Sequence, residues 1–187
     1  AVQSKFNSAT GKITYKIVYT KDKDREPETY QAKLSVQIPN KYKFTLKKED
    51  QIEHFISDGV VEWHVEDIDD FKIASKKVLK NGKGKFAGIT DFIPLRRAEL
   101  QKHFHMKASL VSAENPKEGA HSLLELEPIT ADQKDHVKWS KIYFDKASEA
   151  CCIQILDADN NLYDIIINKM AYNTKLSDDT FTYTEEE

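Results

Sequence analysis

Leu34-Ser35-Val36-Gln37-Ile38-Pro39-Asn40-Lys41-Tyr42-Lys43-Phe44-Thr45-Leu46 alternates apolar and polar residues on both sides of a Pro-Asn break. Successive side chains of a strand point to opposite faces, so Leu34, Val36 and Ile38 share one face, and Tyr42, Phe44 and Leu46 share one face of the next strand. Pro39 has no ladder donor and predicts a bend or strand break at that point. The stretch reads as two strands of a half-buried antiparallel sheet.

The same rhythm continues outward from it. Upstream, Ile13, Tyr15, Ile17 and Tyr19 recur at every second residue. Downstream, Ile52, His54 and Ile56 precede Ser57-Asp58-Gly59, a turn signal, and Val61, Trp63 and Val65 follow it. Further strands are predicted around Leu124 and Leu126, from Trp139 to Phe144, from Cys151 to Leu156, from Leu162 to Ile167, and over Thr180–Thr184. Asp157-Ala158-Asp159-Asn160-Asn161, rich in residues that tolerate left-handed geometry, is predicted to turn the chain between two of these. The count is about ten strand segments.

One region breaks the alternation. Pro94 to Phe104 carries good helix formers, with Ile93, Leu100 and Phe104 on one face, and is predicted to form a short amphipathic helix. Lys76 to Gly88, rich in glycine and lysine, reads as a mobile loop. No repeat or linker divides the chain, so residues 1–187 are expected to form a single domain. One short helix is too small to cover so many strands. The sheet is therefore expected to curl on itself, pair with a second sheet or stay partly open. Its concave face of Tyr, Phe, Trp and Ile reads either as a packed core or as a site for an apolar ligand.

Composition excludes several classes. Lys plus Arg number 28 against 31 Asp plus Glu, a net charge of −3, without the basic excess of a nucleic-acid binder. No apolar run approaches the ~18 residues of a membrane-spanning helix. Cys151 and Cys152 are adjacent, and a bridge between them would need a distorted backbone, so both are expected as free thiols.

Catalytic motifs are incomplete throughout. His103-Phe104-His105 spaces two imidazoles as some metal sites do, but no further ligand accompanies them at a recognisable spacing, and no metal is expected. Asp157-x-Asp159-x-Asn161 starts like a calcium loop, but Leu162 replaces the required glycine and Asn168 the bidentate Glu. Asn81-Gly82-Lys83-Gly84-Lys85 lacks the Gly-Lys-Ser/Thr of a phosphate loop. Binding rather than catalysis is the expectation, with no cofactor. If the chain were an enzyme, His103 or His105 would be the reactive side chains.

Particular words in the sequence resemble the LolA-like family of periplasmic carriers that sort lipoproteins to the outer membrane. Leu34 to Phe44 is similar to that family's strand-Pro-Asn-strand segment. Phe55 to Trp63 is similar to its next hairpin, with a Ser-Asp-Gly turn and a following Trp. Leu176-Ser177-Asp178-Asp179-Thr180-Phe181-Thr182-Tyr183-Thr184 is similar to its Leu-x-Asp ending, and Pro94 to Phe104 stands where the family has a lid helix. The resemblance implies a mainly β, α+β fold: a strongly curved antiparallel sheet or incomplete barrel with a helical lid. It also implies a periplasmic location and a cavity for lipoprotein or lipid acyl chains, with inner- and outer-membrane lipoprotein-sorting proteins as partners. The cavity residues it implies are Leu34, Val36, Ile38, Tyr42, Phe44, Ile56 and Trp63, with Leu100 and Phe104 beneath the lid.

The chain departs from the family pattern in two places. Ile38 stands where the family has an Arg before the Pro-Asn, and the first strand signal comes too early for the family's long N-terminal helix. Both departures suit a relative that keeps the fold and binds a different lipid, peptide or protein. A protein-interaction or envelope-sensor module with a packed cavity is the alternative reading.

Overall fold

The computed structural model describes residues 7–68, 71–79, 97–111 and 117–184. Among the described residues, eleven strands form one antiparallel sheet. In chain order they are β1 (Ser8–Tyr19), β2 (Glu28–Gln37), β3 (Lys41–Lys48), β4 (Gln51–Ser57), β5 (Val61–Ile68), β6 (Phe71–Val78), β7 (Phe104–Leu110), β8 (Ser122–Pro128), β9 (Val137–Phe144), β10 (Ala150–Asp157) and β11 (Asn161–Tyr172). The described helices are short: α1 (Arg97–His103), α2 (Ala131–Lys134) and a 3-10 turn at Asp178–Phe181. Strand order is β6-β5-β4-β3-β2-β1-β11-β10-β9-β8-β7, so β6 and β7 are the edges among the described residues.

Two compact units share this topology. The first contains residues 1–13, 30–96 and 169–187, and the second residues 14–29 and 97–168. In the first, short turns join β2 through β5 into consecutive hairpins, and β6 pairs antiparallel with β5. Ile38 to Asn40 forms the expected break after β2, Glu49 takes a positive φ of 52° between β3 and β4, and Gly59 takes φ 93° between β4 and β5. Short turns fix register. Leu34 faces Phe44 and Phe44 faces Phe55, while Val36 faces Tyr42 and Tyr42 faces Ser57. Ala32, Leu34, Val36, Tyr42, Phe44, Leu46 and Phe55 are buried on that face, each large side chain stabilising the fold by about 1.5–3 kcal/mol.

The second unit repeats the principle with aliphatic residues. Ile153 faces both Ile142 and Ile165, and Ile142 faces Leu124. Leu126, Ile142, Ile153, Ile155 and Ile165 are buried together with the lone hydroxyl of Ser140. The β10–β11 turn forms over Ala158–Asn160, with Asn160 at φ 68°, where the Asp/Asn cluster predicts it. The Asp157 carboxylate accepts from the Asn161 amide at 2.7 Å, the Asn161 side chain at 3.0 Å and the Tyr163 hydroxyl at 2.9 Å, which is a turn cap and not a calcium site.

Three local readings differ from the structure. Thr180 to Thr184 is not a strand: Asp178–Phe181 turns as a 3-10 helix, buries Phe181, and sets the Tyr183 ring 5.3 Å from that of Trp63. Tertiary burial here overrides an alternating pattern of β-formers. Lys76, Lys77 and Val78 of the expected loop belong to β6 and Leu79 follows it, while residues 80–88 lie outside the described residues. The described helix ends at His103, and Phe104 opens β7; Ile93 and Pro94 also lie outside the described residues.

Gly11 on β1 is required by close approach. A Cβ there would lie 2.7 Å from the Lys169 carbonyl oxygen and 2.7 Å from the Met170 sulfur on β11. Gly11→Val should therefore destabilise the protein by about 1–3 kcal/mol through forced backbone displacement, read as a lower chemical-denaturation midpoint. An unchanged midpoint would mean that β1 and β11 do not pack as closely as described.

Candidate functional site

Leu34, Val36, Tyr42 and Phe44 form a buried apolar face across β2 and β3 of the first unit. Its character changes toward β5. On β4 the same face continues through Glu53, Phe55 and Ser57, and on β5 through Glu62, His64 and Glu66. The face is thus amphipathic, apolar at β2–β3 and acidic at β5.

Polar groups at that margin are held by one another. The Tyr42 hydroxyl donates to Glu62, whose residue is buried. The His64 ring stacks on Phe55 at 4.1 Å with an interplanar angle of 10°. Its Nε2 lies 3.0 Å from Glu53 and its Nδ1 3.5 Å from Glu66. His54 occupies the other face, 3.0 Å from the Thr45 hydroxyl and 3.6 Å from Asp67. Burial lowers its pKa, and the attraction of Asp67 does not fully offset this.

The residues implied by the resemblance divide accordingly. Leu34, Val36, Tyr42 and Phe44 come together, and Ile38 follows them in the turn. Ile56 and Trp63 face each other across β4 and β5, but they alternate onto the opposite face, with Val65. Phe55, absent from the implied set, takes their place beside Phe44. Both Phe55 and Ile56 are buried, so hydrophobicity does not mark which of the two faces Phe44. The two-residue turn at Glu49-Asp50 is the signal that decides it: counting back from Lys48 opposite Gln51 sets Phe44 opposite Phe55. Leu100 and Phe104 are buried in the second unit.

The histidines expected to matter if the chain were an enzyme are separated by an element boundary. His103 ends α1, whereas His105 lies on β7 opposite Glu127 and is exposed. Among the described residues no group of three or more His, Cys, Asp or Glu side chains has the arrangement of a metal site. Both thiols are free. Burial is the main cause that pushes Cys152 up to about 12, and Asp164, 3.2 Å from its sulfur, adds to it. Lys117 closes this group, with Nζ 2.8 Å from both Asp164 oxygens. Such a thiol is a packed hydrophobe, not a nucleophile.

No family model matches the chain, and no curated protein sequence matches it. Among solved structures, this chain is similar to LolA-superfamily proteins. A LolA superfamily protein from Nitrosomonas europaea shares 11% identity with a TM-score of 0.46, over 97% of this chain and 93% of that one. A putative outer-membrane lipoprotein-sorting protein domain from Vibrio parahaemolyticus shares 9% identity with a TM-score of 0.44, over 96% of this chain and 91% of that one. No helix among the described residues is long and apolar enough to cross a membrane.

The turn between β4 and β5 has a titratable cap. Asp58 accepts from the Val60 and Val61 amides, each at 2.8 Å. Burial pushes its carboxyl up, but the amides of Val61 and Val60 outweigh that and hold it below the usual carboxylate value. The cap therefore stabilises the fold at pH above the ordinary Asp value and is lost as pH falls through the lowered folded value. Asp58→Ala should cost a few tenths to about 1 kcal/mol at neutral pH, seen as a lower Tm. The difference from wild type should shrink near about pH 3. A difference independent of pH would assign the loss to packing.

Proposed function

We propose that this protein is a non-enzymatic carrier or receptor whose ligand is an acyl chain or another extended apolar group. The chain would be held against the face of β2 to β4 formed by Leu34, Val36, Tyr42, Phe44 and Phe55. One observation carries this reading: the described helices are only 7, 4 and 4 residues long, while the apolar face crosses several strands. Leu34, Val36, Tyr42, Phe44 and Phe55 are already buried without a ligand, so a bound chain would replace their present cover, gaining ~0.8 kcal/mol per methylene.

The acidic margin on β5 gives the ligand a direction, with its apolar part over β2 and β3. The sequence words shared with lipoprotein-sorting carriers support the same class of ligand, and a periplasmic site of action belongs to the reading. Lipoproteins or lipids would be the cargo, and envelope sorting proteins the donors and acceptors.

The test is uptake of a fluorescent fatty-acyl probe. Phe44→Glu, in a variant that keeps the far-UV dichroism of the wild type, should abolish uptake. Trp63→Ala, on the opposite face, should leave it within about twofold, a difference of under 1 kcal/mol. Full uptake by a folded Phe44→Glu variant would sink the proposal. Native mass spectrometry of the protein from its own source, with lipid analysis of the same sample, would then name the cargo class.

A further inference from the structure

The edge strand β6 is exposed along its whole length. Phe71 is 74% exposed, Ile73 57% and Val78 70%, and Val60 beside Leu79 is 64% exposed. Solvent-exposed edges are ordinarily kept short, covered or guarded by charge, lysine above all, because their unpaired backbone is a template for another strand; β6 has three lysines of that kind beside its large apolar groups. This edge keeps both the apolar groups and the length.

Its hydrogen-bonding side can be assigned. The Leu79 amide donates to the Val60 carbonyl at 2.8 Å, in the same register that sets Val61 opposite Val78. In an antiparallel ladder bonded pairs alternate with non-bonded ones, so Phe71, Ile73, Ser75 and Lys77 bond to β5. Lys72, Ala74, Lys76 and Val78 then direct their amides and carbonyls away from the sheet. Among the described residues β6 pairs with β5 alone.

Charge on this strand has one sign. Lys72, Lys76 and Lys77 are its only ionised side chains. The neighbouring carboxylates of β5 are engaged elsewhere: Glu62 by Tyr42, Glu66 by His64 and Asp67 by His54. Lys76 lies 5.0 Å over the Trp63 ring, and none of the three lysines has a carboxylate within ion-pair distance among the described residues. Pairing of β6 with β6 of a second copy would place six lysines on one ladder with no carboxylate, and like charges across strands are destabilising. A membrane surface would meet only one face, whereas the lysines lie on both: Lys72 and Lys76 on one, Lys77 on the other. An added strand meets both faces at once.

We infer that β6 is a docking edge for an extended acidic peptide segment of a partner protein, which adds to the sheet as a twelfth strand. Main-chain hydrogen bonds to Lys72, Ala74, Lys76 and Val78 provide affinity. Carboxylates opposite the lysines, with apolar residues against Phe71, Ile73 and Val78, provide selectivity.

The test uses the full chain and fluorescence anisotropy of a labelled peptide that alternates Glu and Val and matches β6 in length, against a Lys-Val counterpart. The acidic peptide should bind and the basic one should not. Ala74→Pro removes an outward amide while sparing the ladder to β5, and should weaken binding by roughly tenfold or more. Acyl-probe uptake by that variant should not change, which separates this site from the apolar face. Amide hydrogen exchange of the wild type should slow at Lys72, Ala74, Lys76 and Val78 when the acidic peptide is added, a readout that does not depend on the variant folding. No binding of the acidic peptide, equal binding of both peptides, or protection confined to other strands would overturn the inference.

Discussion

The position of β3 between β2 and β4 is the constraint on which the first unit depends. A one-residue slip in either pairing would turn Tyr42, Phe44 and Leu46 away from Leu34 and Phe55, and would exchange an apolar face for one of lysines and a threonine. Short turns remove that freedom. Ile38 to Asn40 sets the first pairing, Glu49-Asp50 the second, and Ser57-Asp58-Gly59 the third, the last braced by the Ser57 hydroxyl accepting from the Gly59 amide at 3.1 Å. The Tyr42–Glu62 hydrogen bond then ties β3 to β5 across the strand between them. Side chains of three successive strands are thus set on one face by backbone geometry.

How much was legible in the sequence follows from the same physics. The β2–β3 hairpin stands out because each of its strands has one buried and one more exposed face, which writes a period of two into the residues. β6 does not stand out, because an edge strand exposed on both faces has no need of alternation. β7 does not stand out for a similar reason: after Phe104, where the expected helix ends, most of its residues are exposed, and His105 to Leu110 carries no stripe. The C-terminal Thr-Phe-Thr-Tyr-Thr run shows the opposite error, an alternation that local propensity produces and tertiary packing of Phe181 overrides.

At the candidate site the difficulty lay in β4 alone. Ile52, Phe55 and Ile56 place apolar side chains on both phases of the strand, so periodicity assigns a face to neither. The resemblance implies Ile56 and Trp63 in one cavity with Phe44, whereas the register after the Glu49-Asp50 turn sets Phe55 opposite Phe44 and leaves Ile56 and Trp63 paired on the other face. A Glu-Asp turn carries little of the residue preference that marks an Asn-Gly hairpin, and so the decisive count had no visible anchor.

The adjacent cysteines acquire a use from the irregularity in β10. Ala150 faces Phe144 and Cys152 faces Tyr143, so Cys151 is the extra residue of a bulge, with its sulfur 3.4 Å from the Tyr143 carbonyl oxygen. Cys152, next in the chain, is sealed against Asp164. Two thiols one residue apart therefore sample different depths of the same strand. Alkylation of Cys152 requires its cover by Asp164 and Lys117 to open, whereas Cys151 is already partly accessible. The ratio of their labelling rates is a built-in gauge of how often that cover opens, readable without introducing any foreign reporter.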